Sequence, residues 1–142
     1  MVDNLLGKER FDFLGYTIGQ FVKKDGTKYY GTKPSKKALE NVIRKIHDET
    51  SRRWLLSTDE DRVLRVNRIL RGWCNYFNQG RVGPEYKVLR TYTERRLRRW
   101  LVKKHKLGST TGYRQFPDEH LYGKLGLYKI AQKRADVPSA KA

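Results

Sequence analysis

Apolar residues recur along the chain first with the period of a strand and then with the period of a helix. The early alternation surrounds Gly15 and predicts a strand with a bulge or kink at that glycine. Its members are Phe11, Phe13, Tyr16 and Ile18. Asp25-Gly26 favours a type I′ turn, which predicts a β-hairpin that returns through Lys28-Tyr29-Tyr30. Because a lone hairpin is marginal in water, it must pack on another part of the chain.

Three longer segments carry apolar residues at helical spacing, and each has a start signal. The first helix is predicted at about 36–53 after the N-cap Ser35, with Trp54 on its apolar stripe. The second begins at the cap Thr58 and ends near Gln79-Gly80. The third spans about 85–106, with Pro84 in its first turn. A short terminal element follows, with Leu121, Leu125, Leu127 and Ile130 as its apolar residues.

These segments predict an α+β fold, in which an N-terminal β-hairpin precedes a three-helix bundle and a short C-terminal element. We assign residues 1–34 to the hairpin, 35–130 to the helical domain and 131–142 to a disordered tail. The predicted core comprises Leu39, Ile43, Ile46, Val66, Ile69, Leu70, Trp73, Phe77, Leu89, Leu97 and Trp100. The buried stripe of the third helix also includes Tyr86, Thr93 and Leu101.

The segment Arg71-Gly72-Trp73-Cys74-Asn75-Tyr76-Phe77 is the most distinctive part of the second helix. Helical spacing places its three aromatic residues on the core side with Val66, Ile69 and Leu70. Arg71 and Asn75 are four residues apart and share the opposite face with Arg68 and Gly72. A glycine inside a helix costs roughly 1 kcal/mol against alanine. This face therefore offers a guanidinium, an amide and a gap where a backbone or sugar can come close.

The charge balance decides which partners are plausible. The 142 residues include 32 Lys and Arg against 15 Asp and Glu, giving a formal charge of +17. Such an excess indicates an anionic partner, first a nucleic acid and second an anionic membrane surface. The sequence has no long apolar run and no secretory h-region, so we expect a cytoplasmic protein that does not insert into a membrane. Its single cysteine, Cys74, excludes an internal disulfide and a Cys-based zinc cluster.

The outer face of the third helix is basic and includes one aromatic residue. Like charges at helical spacing destabilise a helix unless a partner neutralises them, which favours an anionic partner over a merely solvated face. Tyr92 lies among these cations and either stacks on an unpaired base or packs against another helix. His105 in the last turn is interpreted as a phosphate or dipole partner rather than a metal ligand. The predicted RNA-binding residues are Arg68, Arg71, Asn75, Tyr92, Arg95, Arg96, Arg98, Arg99, Lys103, Lys104 and His105.

Catalytic signatures are missing from the sequence. There is no nucleophile elbow, P-loop, HExxH motif or paired carboxylate site for two magnesium ions. The acidic run Asp59-Glu60-Asp61 is best explained as a helix start, and a metal-binding role is the less favoured alternative. We therefore expect a protein that is not an enzyme and has no cofactor. A helix-turn-helix reader of DNA is the nearest rival, but residues 80–84 give no short turn of that type.

Four segments in order resemble the maturase-specific domain, or domain X, of group II intron reverse transcriptases. They are Phe11-Asp12-Phe13-Leu14-Gly15-Tyr16, then Asn67, then the Arg71–Phe77 segment, then Arg99-Trp100-Leu101 with Lys103-Lys104-His105. The resemblance spans roughly residues 10 to 130, and the Arg-Gly-Trp-x-Asn-Tyr-aromatic segment is its most specific part.

The resemblance implies a domain that binds structured group II intron RNA and helps it to fold and splice. It also implies that residues 1–34 correspond to the junction between the polymerase palm and thumb. The fingers and palm, with their Tyr-x-Asp-Asp signature, are not in this sequence, and neither is an HNH endonuclease. The alternative is therefore a structural fragment of a split or decayed reverse transcriptase that completes a polymerase in trans, with a palm fragment as its partner.

Overall fold

The computed structural model describes residues 10–78, 82–108 and 112–131. A three-stranded antiparallel sheet comes first, with β1 (Arg10–Phe13), β2 (Tyr16–Val22) and β3 (Lys28–Pro34) in that order. Three long helices follow, α1 (Lys36–Glu49), α2 (Asp59–Tyr76) and α3 (Gly83–Lys104). The chain then forms the short α4 (Gly112–Gln115) and a wide helical turn, Glu119–Lys124. The predicted α+β class is confirmed.

The N-terminal unit has three strands where two were predicted. Phe13 pairs with Tyr16, so Leu14 and Gly15 alone form the loop between β1 and β2. Both residues have positive φ, 53° and 87° respectively, which is the condition of a type I′ turn. The glycine predicted to bend one strand therefore reverses the chain between two strands. The sequence pattern did not predict this turn, because a leucine such as Leu14 seldom adopts a positive φ.

The turn at Asp25-Gly26 also differs from the prediction. The Gly26 N–H donates to the Lys23 carbonyl at 2.9 Å, and Gly26 alone in this loop has a positive φ, 92°. This geometry is typical of a type I turn followed by a left-handed glycine, and it also makes a hairpin. The Asp25 carboxylate accepts from the Thr27 N–H at 2.9 Å, and these bonds to Thr27 lower the pKa of Asp25.

The sheet packs on the C-terminal end of α2 through three aromatic rings. The Tyr76 hydroxyl donates to the Leu14 carbonyl at 2.8 Å, and the Tyr16 hydroxyl donates to the Tyr76 carbonyl at 2.5 Å. The Phe77 ring lies 5.0 Å from the Tyr16 ring, between centroids. A Cβ atom on Gly15 would lie only 2.9 Å from Phe77 Cζ, so the turn itself is in contact with the helix end.

The helix starts are confirmed and the helix ends are shifted. Ser35 Oγ accepts from the Ala38 N–H, and Thr58 Oγ1 accepts from the Asp61 N–H, each at 3.0 Å. Helix α1 ends at Glu49 rather than near residue 53, and Trp54 belongs to a separate 3₁₀ turn, Arg52–Trp54. Helix α2 ends at Tyr76 rather than near Gln79-Gly80.

A hydroxyl from α3 caps the last turn of α2. Tyr86 Oη lies 2.8 Å from the Phe77 carbonyl and 3.1 Å from the Cys74 carbonyl. Its single proton can serve one of these acceptors at a time. Carbonyls in the last turn of a helix lack intrahelical partners, so this contact satisfies an acceptor that the helix leaves free.

The core contains every residue predicted for it, although four are only partly buried. Those four are Leu39, Ile43, Ile69 and Trp73, which pack against the buried cluster. All six members of the predicted α3 stripe are buried. The placement of Tyr76 on the core side is wrong, because 52% of its surface is exposed. Cys74 is buried in the core.

An asparagine of α2 fixes the C-terminal segment. Asn67 Nδ2 donates to the Gly126 carbonyl at 2.8 Å, and Asn67 Oδ1 accepts from the Tyr128 N–H at 2.6 Å. Leu121, Leu127 and Ile130 of this segment are buried in the core. The tail predicted to be disordered begins at residue 131, and all of it but that residue lies outside the described part of the chain.

We predict that Gly15→Ala destabilises the protein more than Gly26→Ala. Both residues have positive φ, so each alanine brings strain of about 1–2 kcal/mol. Only the Gly15 methyl group would meet Phe77, which adds about 1–3 kcal/mol of overpacking. Urea unfolding of the two variants measures the difference. Equal losses would show that the turn does not press on the helix end.

Candidate nucleic-acid interface

Three cations of α3 form an exposed ridge, which comprises Arg95, Arg99 and Lys103. Their spacing of four residues places them on one side of the helix. Within the part of the chain that the structure describes, no ion pair joins any of them to a carboxylate. Uncompensated cations of this kind are available to neutralise phosphates and release counterions.

A groove of about 840 Å³ lies beside the ridge, between α3 and α4. We call it the α3–α4 groove. The ridge residues line it together with Arg98 and Tyr113. Tyr113 is 65% exposed, and its ring lies over the Arg98 guanidinium at 4.6 Å. Arg98 also pairs with Asp118 at 2.6 Å and donates to the Phe116 carbonyl at 2.7 Å. The groove thus combines free cations with an aromatic ring held against a fixed arginine.

Besides Arg98, three of the predicted RNA-binding residues hold neighbouring elements within the chain. Arg96 Nε donates to Thr50 Oγ1 at 3.1 Å, which joins α3 to the end of α1. Lys104 Nζ donates to the Leu55 carbonyl at 2.8 Å. His105 Nε2 lies 2.8 Å from Asp59 Oδ2. These contacts attach the C-terminal part of α3 to the connection between α1 and α2. A role for these three residues in RNA binding stays a prediction.

Tyr92 lies on the side of α3 next to the ridge, partly buried against the core. The Arg95 guanidinium lies 5.8 Å from the centre of its ring. Part of the ring is therefore used in packing, which leaves less of it for a base than at Tyr113. Stacking by Tyr92 remains a prediction.

The predicted face of α2 is open to solvent. Arg68, Arg71 and Asn75 are exposed, and the Arg71 guanidinium lies 5.6 Å from the centre of the Tyr128 ring. Around Gly72 no other part of the described chain comes within 4 Å of where a Cβ atom would be. No intramolecular contact therefore explains a glycine at this point in the helix.

Arg68 and Gly72 line a second groove, of about 710 Å³, between α1, α2 and the β1–β2 turn. We call it the α1–α2 groove. Lys37 and Lys45 of α1 stand across from them. The structure thus leaves two open basic surfaces, one on α2 and one on α3.

Sequence reasoning missed the contributions of Lys37, Lys45 and Tyr113. The two lysines belong to α1, which the pattern treated only as a core helix. Tyr113 lies in α4, between the third predicted helix and the predicted terminal element, where no helix was predicted. The sequence held one signal, because Tyr113 follows the arginine-rich third helix closely along the chain. Only the packing of α4 on α3, however, brings Tyr113 beside Arg98.

The described residues hold no cluster of three or more His, Cys, Asp or Glu side chains suited to a metal ion. Burial raises the pKa of the Cys74 thiol to about 11, so the thiol is protonated at neutral pH and is a poor nucleophile. Burial likewise raises the pKa of the Tyr86 phenol. Among the helices described, none is long and apolar enough to span a bilayer. The exposed groups of the two basic surfaces are cations, an amide and an aromatic ring.

A family model described as the group II intron maturase-specific domain matches residues 28–116. No curated protein matches the chain significantly. The matched segment contains α1, α2, α3 and α4, and therefore both the ridge and the α3–α4 groove. Because it also spans more than half of the 142 residues, the chain belongs to the family of group II intron maturase-specific domains.

Proposed function

We propose that this domain binds structured group II intron RNA and assists its folding and splicing, in a binding rather than a catalytic role. The observation that carries the proposal is the ridge of three uncompensated cations beside a groove with an exposed tyrosine. Family membership supports the choice of intron RNA as the partner. The cytoplasmic location expected from the sequence stays a prediction.

The two kinds of group in the α3–α4 groove suit two parts of an RNA. Lys and Arg neutralise phosphates of any sequence, and their contribution falls with salt. An aromatic ring stacks on a base only where that base is unpaired, with roughly 1–3 kcal/mol for each base. Proteins recognise RNA sequence mostly at such loops and bulges. The combination favours a folded RNA with exposed single-stranded elements over a plain duplex.

The α2 surface would add a second contact. Arg71 and Asn75 can donate hydrogen bonds to base edges or to a 2′-hydroxyl. Gly72 between them leaves space for a sugar or phosphate to approach the helix backbone. Lys37 and Lys45 across the α1–α2 groove would neutralise the same strand.

A second candidate function is a structural one, as a subdomain that completes a polymerase in trans. The strand register places Phe11, Phe13, Ile18, Val22 and Tyr30 on one face of the sheet. All of these but Ile18 are exposed. Exposed apolar residues grouped on one face mark interaction surfaces, and a polymerase palm would cover this face. This candidate gives no reason to distinguish intron RNA from other RNA, and the following experiment separates the two.

We expect the protein to bind a structured group II intron RNA more tightly than an unrelated RNA of equal length, at matched salt. Arg99→Ala should weaken binding to both RNAs by a similar factor. It should also shrink the slope of log affinity against log salt by about one unit or less, because one phosphate contact is lost. Filter binding over a salt series measures both quantities.

Lys28→Ala is the control for that series, since it removes one exposed charge from the sheet. It should leave the salt slope nearly unchanged. Equal affinity for both RNAs would contradict intron recognition and favour the structural candidate. A slope that Lys28→Ala and Arg99→Ala change equally would show a diffuse attraction without a defined ridge.

Gly72→Ala separates folding from binding. The new methyl group meets open space, so helix propensity should raise the free energy of unfolding by roughly 0.5–1 kcal/mol. If RNA approaches the backbone at this position, the same methyl group should weaken RNA binding. Thermal melts and RNA titrations of one preparation test both effects. A variant that is more stable and binds RNA as well as the wild type would remove Gly72 from the interface.

Tyr113→Ala should weaken binding to an RNA with a bulge and leave binding to a perfect duplex almost unchanged. Tyrosine carries no charge at neutral pH, so the salt slope should not change. Tyr113→Phe keeps the ring and should restore the affinity for the bulged RNA. Equal losses on both RNAs, or failure of Tyr113→Phe to restore binding, would contradict stacking at this residue.

A further inference from the structure

A small cavity lies on the other side of the α3 ridge from the groove. It has a volume of about 170 Å³ and is bounded by the end of α1, the Arg52–Trp54 turn and α3. We call it the α1–α3 cavity. Arg99 and Lys103 line it as well as the α3–α4 groove, and Arg52 and Arg96 complete the set of cations around it. Four positive side chains therefore converge on one small space.

The cavity wall carries no carboxylate. None of its lining residues is Asp or Glu. Arg96 bonds only to neutral oxygens, those of Thr50 and the His47 carbonyl. Within the described chain, no carboxylate pairs with Arg52, Arg99 or Lys103. Like charges so close together repel each other unless an anion enters between them.

Two buried donors in the same wall also lack an acceptor. Ser51 Oγ and Trp100 Nε1 are buried and have no hydrogen-bond partner among the described residues. Trp100 is only 2% exposed. A buried polar atom without a partner costs roughly 1–3 kcal/mol, so an acceptor that reached either atom would remove this penalty.

We propose that the α1–α3 cavity is a binding site for one phosphate group. Its size is close to that of an engineered cavity of about 150 Å³ that admits benzene, so a single phosphate fits and a whole nucleotide does not. Every charged group in the wall is a donor, which suits an oxyanion better than a base, because a base presents donors as well as acceptors. The source of the phosphate rests on the proposed function: an RNA phosphodiester fits this chemistry, and so does free or terminal phosphate.

The indole N–H signals of the protein provide a local readout. The chain has three tryptophans, and the Nε1 atoms of Trp54 and Trp73 also lack partners. These two lie outside the lining of the cavity and serve as internal controls. Inorganic phosphate and dimethyl phosphate are titrated separately into the isotope-labelled protein at constant ionic strength, with chloride as the replaced anion. We expect the Trp100 signal to shift with saturation while the other two signals stay in place.

Three variants test whether the site is local. Arg99→Gln should weaken phosphate binding about tenfold, the loss of one hydrogen bond to a charged group. Ser51→Ala leaves the charge unchanged and should weaken it about fivefold, as expected for one neutral donor. Lys87→Gln removes the same charge as Arg99→Gln from an exposed position of α3 outside the cavity and should have no effect. Thermal melts confirm that each variant is folded.

Saturation with dimethyl phosphate would identify an RNA phosphodiester as the ligand, and saturation with inorganic phosphate alone would identify a free or terminal phosphate. The proposal is overturned if neither ligand shifts the Trp100 signal with saturation, or if Lys87→Gln weakens binding as much as Arg99→Gln. The RNA titrations of the preceding section stand apart from this result. If the protein binds RNA but phosphate does not shift the Trp100 signal, the cavity proposal is wrong and the proposed function stands. If phosphate shifts the Trp100 signal but the protein does not bind RNA, the proposed function is wrong and the cavity proposal stands.

Discussion

The structure depends on one buried arginine at the start of α2. Arg62 is 1% exposed, and its guanidinium meets several acceptors at once. It pairs with Glu49 at 2.7 Å, donates to the Glu49 carbonyl at 3.0 Å and donates to Ser57 Oγ at 3.2 Å. The Trp54 ring covers it at 4.4 Å. A buried charge is strongly unfavourable unless its hydrogen bonds are satisfied, so the connection between α1 and α2 has to fold around this group.

That connection in turn supports the basic surface. Lys104 of α3 contacts the Leu55 carbonyl of this connection, and the adjacent His105 contacts Asp59 at the start of α2. Ser51 and Arg52 of the connection form a wall of the α1–α3 cavity. The position of α3 relative to α1, and with it the shape of the cavity, therefore follows from how Arg62 arranges the nine connecting residues 50–58. The cations of the basic surface are exposed, but the buried ion pair of Arg62 and Glu49 affects where they lie.

The sequence predicted the three helices, the N-caps of α1 and α2 and the α3 stripe well, because 3.6-residue periodicity and capping residues act locally. It failed where a distant contact decides the outcome. Tyr76 has core periodicity but lies outside, since its hydroxyl reaches the Leu14 carbonyl. Leu14 adopts a positive φ that its side chain disfavours, because the turn is held against α2. The sequence alone identified the basic residues. It could not show which of them are free and which, such as Arg96, bind another element of the chain, because that depends on how α1 and the C-terminal segment pack.

The even spacing of the ridge has a consequence for how this domain can vary. Each residue of an α-helix advances about 1.5 Å and turns the chain by about 100°. Arg95, Arg99 and Lys103 thus stand about 6 Å apart in register with the buried Leu97 and Trp100 on the opposite side. Exchange of lysine and arginine keeps this register. Insertion or deletion of a single residue before Arg95 would rotate cations toward the core and apolar residues toward the solvent, so α3 tolerates a change of side chain far better than a change of length.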